Sequence, residues 1–253
     1  MRRVARGLLL AASLVLPARA AETLVIGYFD LPPHGSERDG KPAGWALDYL
    51  SRIAREMGVT PSWRPQPLAR LLVDRQLDMV LYLVRTPERQ RTLQFASQPL
   101  WWAQGVLVVA ADSPVQAIRS SADLTGLRIG SVGGGYVSPL MAGVLREEIG
   151  TRDFIGRSLR KVALGRIDAF YNPDDVAIRY ALRADSMSSL RLLTLPEAAT
   201  GMYPAFTDRG RRWLPAFERA RQRVAARQSY AALVQQRMAA VRYGSPALQA
   251  WQP

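Results

Sequence analysis

Residues 23–29 (TLVIGYF) carry an almost unbroken apolar run that stops at Asp30-Leu31-Pro32-Pro33, as a strand buried on both faces does when it enters a turn. The period then changes. Leu47, Leu50, Ile53, Ala54 and Met57 recur at helical spacing and predict an amphipathic helix over 46–57, with Gly58 as its stop. Strand and helix alternate from there: a strand at 59–64, a short helix at 67–75, a strand at 79–84, an aromatic-apolar approach at 95–102 and a strand at 106–110. Asp112-Ser113-Pro114 interrupts the series, and a second one begins. It comprises a helical turn at 121–124, a strand at 127–132, a glycine loop at 133–136, helices at 138–149 and 157–164, and a strand at 167–171 closed by Asn172-Pro173-Asp174. A helix at 175–183, strands at 190–195 and 202–206, and a helical segment from 213 to about 241 complete the chain. This alternation predicts an α/β protein built in layers on parallel strands.

The first twenty residues follow another pattern. Arg2, Arg3 and Arg6 precede the apolar run Gly7 to Leu16, and Ala18-Arg19-Ala20 has the small-x-small form of a cleavage site, so 1–20 reads as an export signal. The mature chain is expected to start at Ala21 and to reside in the periplasm. No other stretch reaches the roughly 18 apolar residues a spanning helix needs. The chain has no cysteine, which excludes disulfides and a lipid-modified cysteine, and one histidine, His34. Without thiolates, a second imidazole or an acidic cluster, no metal site and no cofactor are expected. His34, between a strand and a helix, is expected at the surface.

Charge adds less than its size suggests. Taking the four arginines of the signal from 34 basic residues leaves 30 against 21 acidic ones. They are scattered, densest at Arg209, Arg211 and Arg212, and read as solvated helix faces; no nucleic-acid partner is expected for an exported protein.

Arg89 is the strongest candidate for chemistry. It leaves the turn Arg85-Thr86-Pro87-Glu88 after an apolar strand, where a planar guanidinium can hold a carboxylate through two parallel hydrogen bonds. Gly133, Gly134 and Gly135 at a strand-to-helix junction would let the backbone approach a ligand and aim amides at an anion. The loop lacks the lysine of a phosphate loop and the G-x-G-x-x-G spacing of a dinucleotide site.

In order, Leu24-Val25-Ile26-Gly27, Gly44-Trp45-Ala46-Leu47-Asp48, Gln76-Leu77-Asp78, Thr86-Pro87-Glu88-Arg89, Phe95-Ala96-Ser97-Gln98-Pro99-Leu100, Asp123-Leu124-Thr125-Gly126-Leu127-Arg128-Ile129-Gly130 and Leu164-Gly165-Arg166-Ile167-Asp168-Ala169 resemble the family 3 extracellular solute-binding proteins, periplasmic receptors of polar amino-acid uptake systems. The resemblance implies two α/β lobes joined by two hinge strands, with lobe one at 21–108 and 199–253, lobe two at 109–198, and a ligand cleft between them. It implies a monomer that delivers a small amino acid or related carboxylate to an ABC permease or a membrane sensor, with no catalytic residue. Some exported proteins similar to this family are dehydratases of cyclic amino-acid precursors, which is the enzymatic alternative. By the same matching Arg89 would hold the ligand's α-carboxylate, Asp30 and Phe29 would sit at the lip of strand one, Trp45 would face the cleft, Tyr82 to Arg85 would line it, and Gly134, Gly135 and Tyr136 would present amides from lobe two. One position departs from the family. Where amino-acid receptors place an acidic ammonium acceptor this chain has Pro173, flanked by Asn172 and Asp174, so Asp174 or Asp30 would have to substitute. Arg85 beside Arg89 would favour a more anionic ligand.

Overall fold

The computed structural model describes residues 22–150 and 152–241, so the expected export signal lies outside the described residues. The chain runs through β1 (Thr23–Tyr28), β2 (Ser36–Arg38), β3 (Lys41–Ala43), α1 (Trp45–Met57), β4 (Thr60–Pro65), α2 (Leu68–Leu71), β5 (Met79–Val84), β6 (Gln94–Phe95) and β7 (Trp101–Ala103). It continues with β8 (Val106–Ala110), β9 (Ile129–Val132), β10 (Arg146–Ile149), α3 (Phe154–Ala163), β11 (Ala169–Asn172), α4 (Asp175–Ala184) and β12 (Leu190–Thr194), and ends with β13 (Thr200–Phe206), α5 (Leu214–Arg227) and α6 (Tyr230–Ala240).

Two sheets result. The first has the order β4-β1-β5-β13-β6, with β7 also on β13; the second has the order β10-β9-β11-β8-β12. Within the first, β1 pairs in parallel with β4 and β5, while β13 returns antiparallel to β5. Within the second, β9 is parallel to β10 and β11, and β8 is antiparallel to β11 and β12. The chain therefore changes sheets at Gln104-Gly105, a little ahead of the 108/109 division read from the sequence, and again across 195–199. The two lobes follow from this double crossing.

Strand β5 shows why the first sheet stands where it does. All six of its residues, Met79 to Val84, are buried, as suits a central strand covered on both faces. Helix α1 buries Leu47, Leu50, Ile53 and Ala54 between β4 and α5 and ends at Gly58, whose φ of 72° closes the C-terminus with bonds to the last carbonyls. The C-terminal helical segment is split rather than continuous: Gln228 leaves the helical conformation and the Ser229 hydroxyl accepts from the Ala232 amide to start α6. That break turns Tyr230 back into lobe one.

The expected helix at 138–149 does not form. Pro139 opens a single 3-10 turn, Gly143 at φ 77° leaves it, and 146–149 becomes β10 beside β9. With no helix after the glycine loop, the helix-terminus component of the expected anion site is absent. Among the described residues, no helix is long and apolar enough to cross a membrane, and no group of three acidic or histidine side chains could hold a metal ion.

Candidate functional site

Among the described residues, several contacts join the two lobes. Asp30 Oδ2 accepts from the Asp153 amide at 2.8 Å, Arg89 Nη2 donates to the Gly134 carbonyl at 3.3 Å, and Arg183 Nη1 donates to the Met238 carbonyl at 3.0 Å. Trp45 meets Tyr180 edge-on at 5.6 Å, and His34 Nε2 lies 3.0 Å from Asp174 Oδ2. A cavity of about 30 Å³ lies between Arg89 and Asp174. Its wall is apolar apart from a few groups: Phe29, Leu31, Val132 and Phe154 pack around Tyr82, Arg89, Tyr136, Asn172 and Asp174. Two wider depressions open beside it. One of about 420 Å³ holds Tyr28, Asp30, Glu37 and Asp153; the other, about 900 Å³, runs along Thr86, Arg89, Gly134 and Tyr136.

Arg89 begins a 3-10 turn that Thr86 organises, its hydroxyl accepting from the Arg89 amide at 3.2 Å. The guanidinium then lies back over the end of β5, donating from Nη1 to the Val84 carbonyl at 2.9 Å and from Nη2 across the cleft to Gly134. Burial pulls its pKa down, against the opposing effect of Glu88. No ion pair of Arg89 occurs among the described residues, and the hydrogen bonds of this half-buried guanidinium go to carbonyls.

Arg85 is a different case. Its guanidinium donates to the Ala96 carbonyl and lies over the rings of Tyr203 at 4.1 Å and Phe95 at 5.5 Å, inside lobe one. The expectation that it lines the cleft beside Arg89 is therefore corrected: side chains four residues apart have left the strand end in different directions. Trp45 is corrected in part, since it joins the lobes through Tyr180 but is absent from the cavity wall. The glycine loop also works otherwise than expected. The Gly135 amide is bonded to the Val132 carbonyl at 3.1 Å, and at Gly134, held at φ 71°, it is the carbonyl that faces Arg89.

Asn172 and Asp174 form the lobe-two corner. Asn172 Oδ1 accepts from the Asp174 amide at 2.8 Å around Pro173, and Asp174 Oδ1 accepts from the amides of Val176 and Ala177 at 3.0 and 3.4 Å, capping α4. Both side chains are buried. Asp30, at the other lip, has its pKa raised above 3.8 chiefly by burial, the Asp153 amide opposing. Phe29 packs edge-on against Tyr82 at 5.1 Å, and the Tyr82 hydroxyl donates to the Phe29 carbonyl at 2.5 Å.

His34 was expected at the surface and is fully buried. The turn 31–35 folds onto the start of α1 rather than into solvent: the Trp45 and Ala46 amides donate to the Pro33 and His34 carbonyls at 2.8 and 2.9 Å. Gly44, at φ 144°, is required there, since a side-chain carbon would lie 2.4 Å from the His34 carbonyl oxygen. The imidazole stacks on Trp101 at 4.1 Å and 17°, and its Nδ1 is 2.7 Å from the Tyr230 hydroxyl. Sequence reading missed His34, Trp101 and Tyr230. The only local signal was a lone histidine between two prolines and a glycine, and nothing in the spacing points to partners 140 and 196 residues away.

The chain matches the family model of bacterial extracellular solute-binding proteins, family 3, over residues 24–251. Among curated proteins no sequence matches it. Among solved structures, an ancestral arginine-binding protein bound to arginine superposes with a TM-score of 0.73 at 20% identity, covering 85% of this chain and 97% of the other. An amino acid ABC transporter substrate-binding protein from Streptococcus pneumoniae bound to L-arginine gives 0.72 at 18%, covering 87% and 96%. A histidine kinase sensor domain with similarity to periplasmic binding proteins gives 0.76 at 21%, covering 88% and 98%. At these identities the likeness is one of fold, and together with the family match over nearly the whole chain it establishes that this protein belongs to the family 3 extracellular solute-binding proteins.

Proposed function

We propose that this protein captures a small carboxylate-bearing molecule, an amino acid or a related organic acid, in the periplasm and between its two lobes. The observation that carries the reading is Arg89: a guanidinium at the lobe boundary, partly withdrawn from water, with carbonyls and no carboxylate for partners. A carboxylate entering from the Thr86 and Tyr136 side would take the place of the Gly134 carbonyl and meet two N–H groups in the fork geometry arginine offers. The apolar wall around it would exclude water and strengthen that contact. An ABC-type permease is the proposed recipient; a membrane sensor is the second, favoured by the likeness to a kinase sensor domain.

Binding rather than turnover is our reading of the cleft. The buried acid–base pair nearest the cavity is His34 with Asp174, and its imidazole is boxed by Trp101 and Tyr230 instead of lining the wall. A thermal-shift screen of organic acids and amino acids on the mature protein tests the proposal. A ligand at about 100 times its dissociation constant stabilises by ~2.7 kcal/mol. A screen in which no carboxylate raises the melting temperature would reject it.

A further inference from the structure

Asp174 is the only carboxylate on the cavity wall among the described residues, and its two oxygens face different groups of the protein. Oδ1 accepts from two amides of α4, and Oδ2 has His34 Nε2 at 3.0 Å. The second contact is close but poorly aligned for a hydrogen bond, and neither atom has another partner. Yet the imidazole is firmly placed. The bonds from Trp45 and Ala46 fix its backbone, Trp101 covers its face, and the Tyr230 hydroxyl holds Nδ1. Asp174 Oδ2 is an acceptor and faces Nε2, so the neutral imidazole carries its ring proton on Nε2 and the Tyr230 hydroxyl donates to Nδ1.

We propose that His34 is a specificity-determining residue: it takes up Asp174 in place of a ligand's ammonium, so that the cleft selects carboxylates lacking an α-amino group. The proposal rests on the reading that Arg89 receives the ligand's carboxylate. An amino acid would bring its ammonium to a carboxylate that is already engaged. Binding it there would strand the imidazole N–H in an aromatic box with no other acceptor, whereas a ligand without the amino group leaves the pair intact and rests carbon on Phe29, Leu31 and Pro173.

Two matched pairs of probes test this by calorimetry: 3-phenylpropanoate against L-phenylalanine, and 4-methylpentanoate against L-leucine. The wild-type protein should bind the acid at least tenfold tighter than its amino acid, and His34→Leu should move the ratio at least tenfold toward the amino acid. His34→Asn serves if the first variant does not fold. A wild-type preference for the amino acids, or a ratio unmoved in the folded variant, overturns the proposal. Nitrogen-15 NMR of the mature protein supplies a readout that needs no ligand, because the chain has a single histidine. A protonated Nε2 whose resonance shifts in Asp174→Asn supports the pairing; a resonance that does not move overturns it. Loss of acid binding in Arg89→Lys with the ratio unchanged in His34→Leu would leave the carboxylate reading standing and remove only His34's role. If no probe binds wild type at all, both fall.

Discussion

The two charged groups that face each other across the cavity are provided for in opposite ways. Arg89, on lobe one, is a cation whose hydrogen bonds go to carbonyls, one of them belonging to the other lobe. Asp174, on lobe two, is an anion met by two helix amides and an imidazole from lobe one. A buried charge is tolerated when its partners are fixed, so the Asp174 corner is built as part of the fold, while the Arg89 corner leaves a charge that an external anion can improve. Within one cleft, then, one side is structural and the other is the side we propose to be receptive.

The sharpest way to break that contrast is at Asp174. Asp174→Ala removes a helix cap and leaves the buried His34 N–H without an acceptor, which together should cost about 2 to 4 kcal/mol. Urea unfolding should show that loss; a change below about 1 kcal/mol would mean the corner is not structural. Arg85 sharpens the comparison from the other direction, as an arginine of the same strand end committed to packing. Arg85→Ala should cost about 1 to 2 kcal/mol of stability through its lost contacts with Tyr203 and Phe95, with no change in the affinity of any carboxylate found by screening. Weakened affinity in a folded Arg85→Ala protein would return it to the site.

The smallest effect is expected at Asp30. Its folded pKa is raised, so its contribution favours the folded state at pH values below its ordinary 3.8 and is lost as pH rises through the higher folded value. Asp30→Asn keeps an oxygen for the Asp153 amide and removes the titration. Its stability relative to wild type should therefore improve as pH rises across the carboxylate range, and a difference constant with pH would show that burial of this group carries no such penalty.

The fold was legible because it rests on local periodicity. The fully apolar β5, the helical stripe of α1 with Gly58 behind it, and the alternation of elements mark the α/β layers, whereas the antiparallel pairings of β8, β12 and β13 depart from the parallel strands that alternation predicts. The helix expected at 138–149 failed where Pro139 and Gly143 outweighed the apolar spacing of Leu140, Met141, Val144 and Leu145. Among site residues, the turn chemistry of Thr86 to Arg89 was readable since it is local. The direction of Arg85 was not, because it is set by Tyr203 on a strand that arrives more than a hundred residues later. His34 is the extreme case, with its surroundings drawn from β7, α6 and the turn before α4. A lone polar residue in a proline-rich turn carries no mark of such distant partners.

The central claim, that Arg89 is the receptive group, is tested most directly by titrating the best carboxylate from the screen into wild type and Arg89→Lys in a calorimeter. The account predicts that lysine, which keeps the charge but loses the fork, weakens binding by about 2 to 5 kcal/mol while the far-UV spectrum is unchanged. Equal affinity in the two proteins would contradict it and leave Arg89 as a residue of the turn.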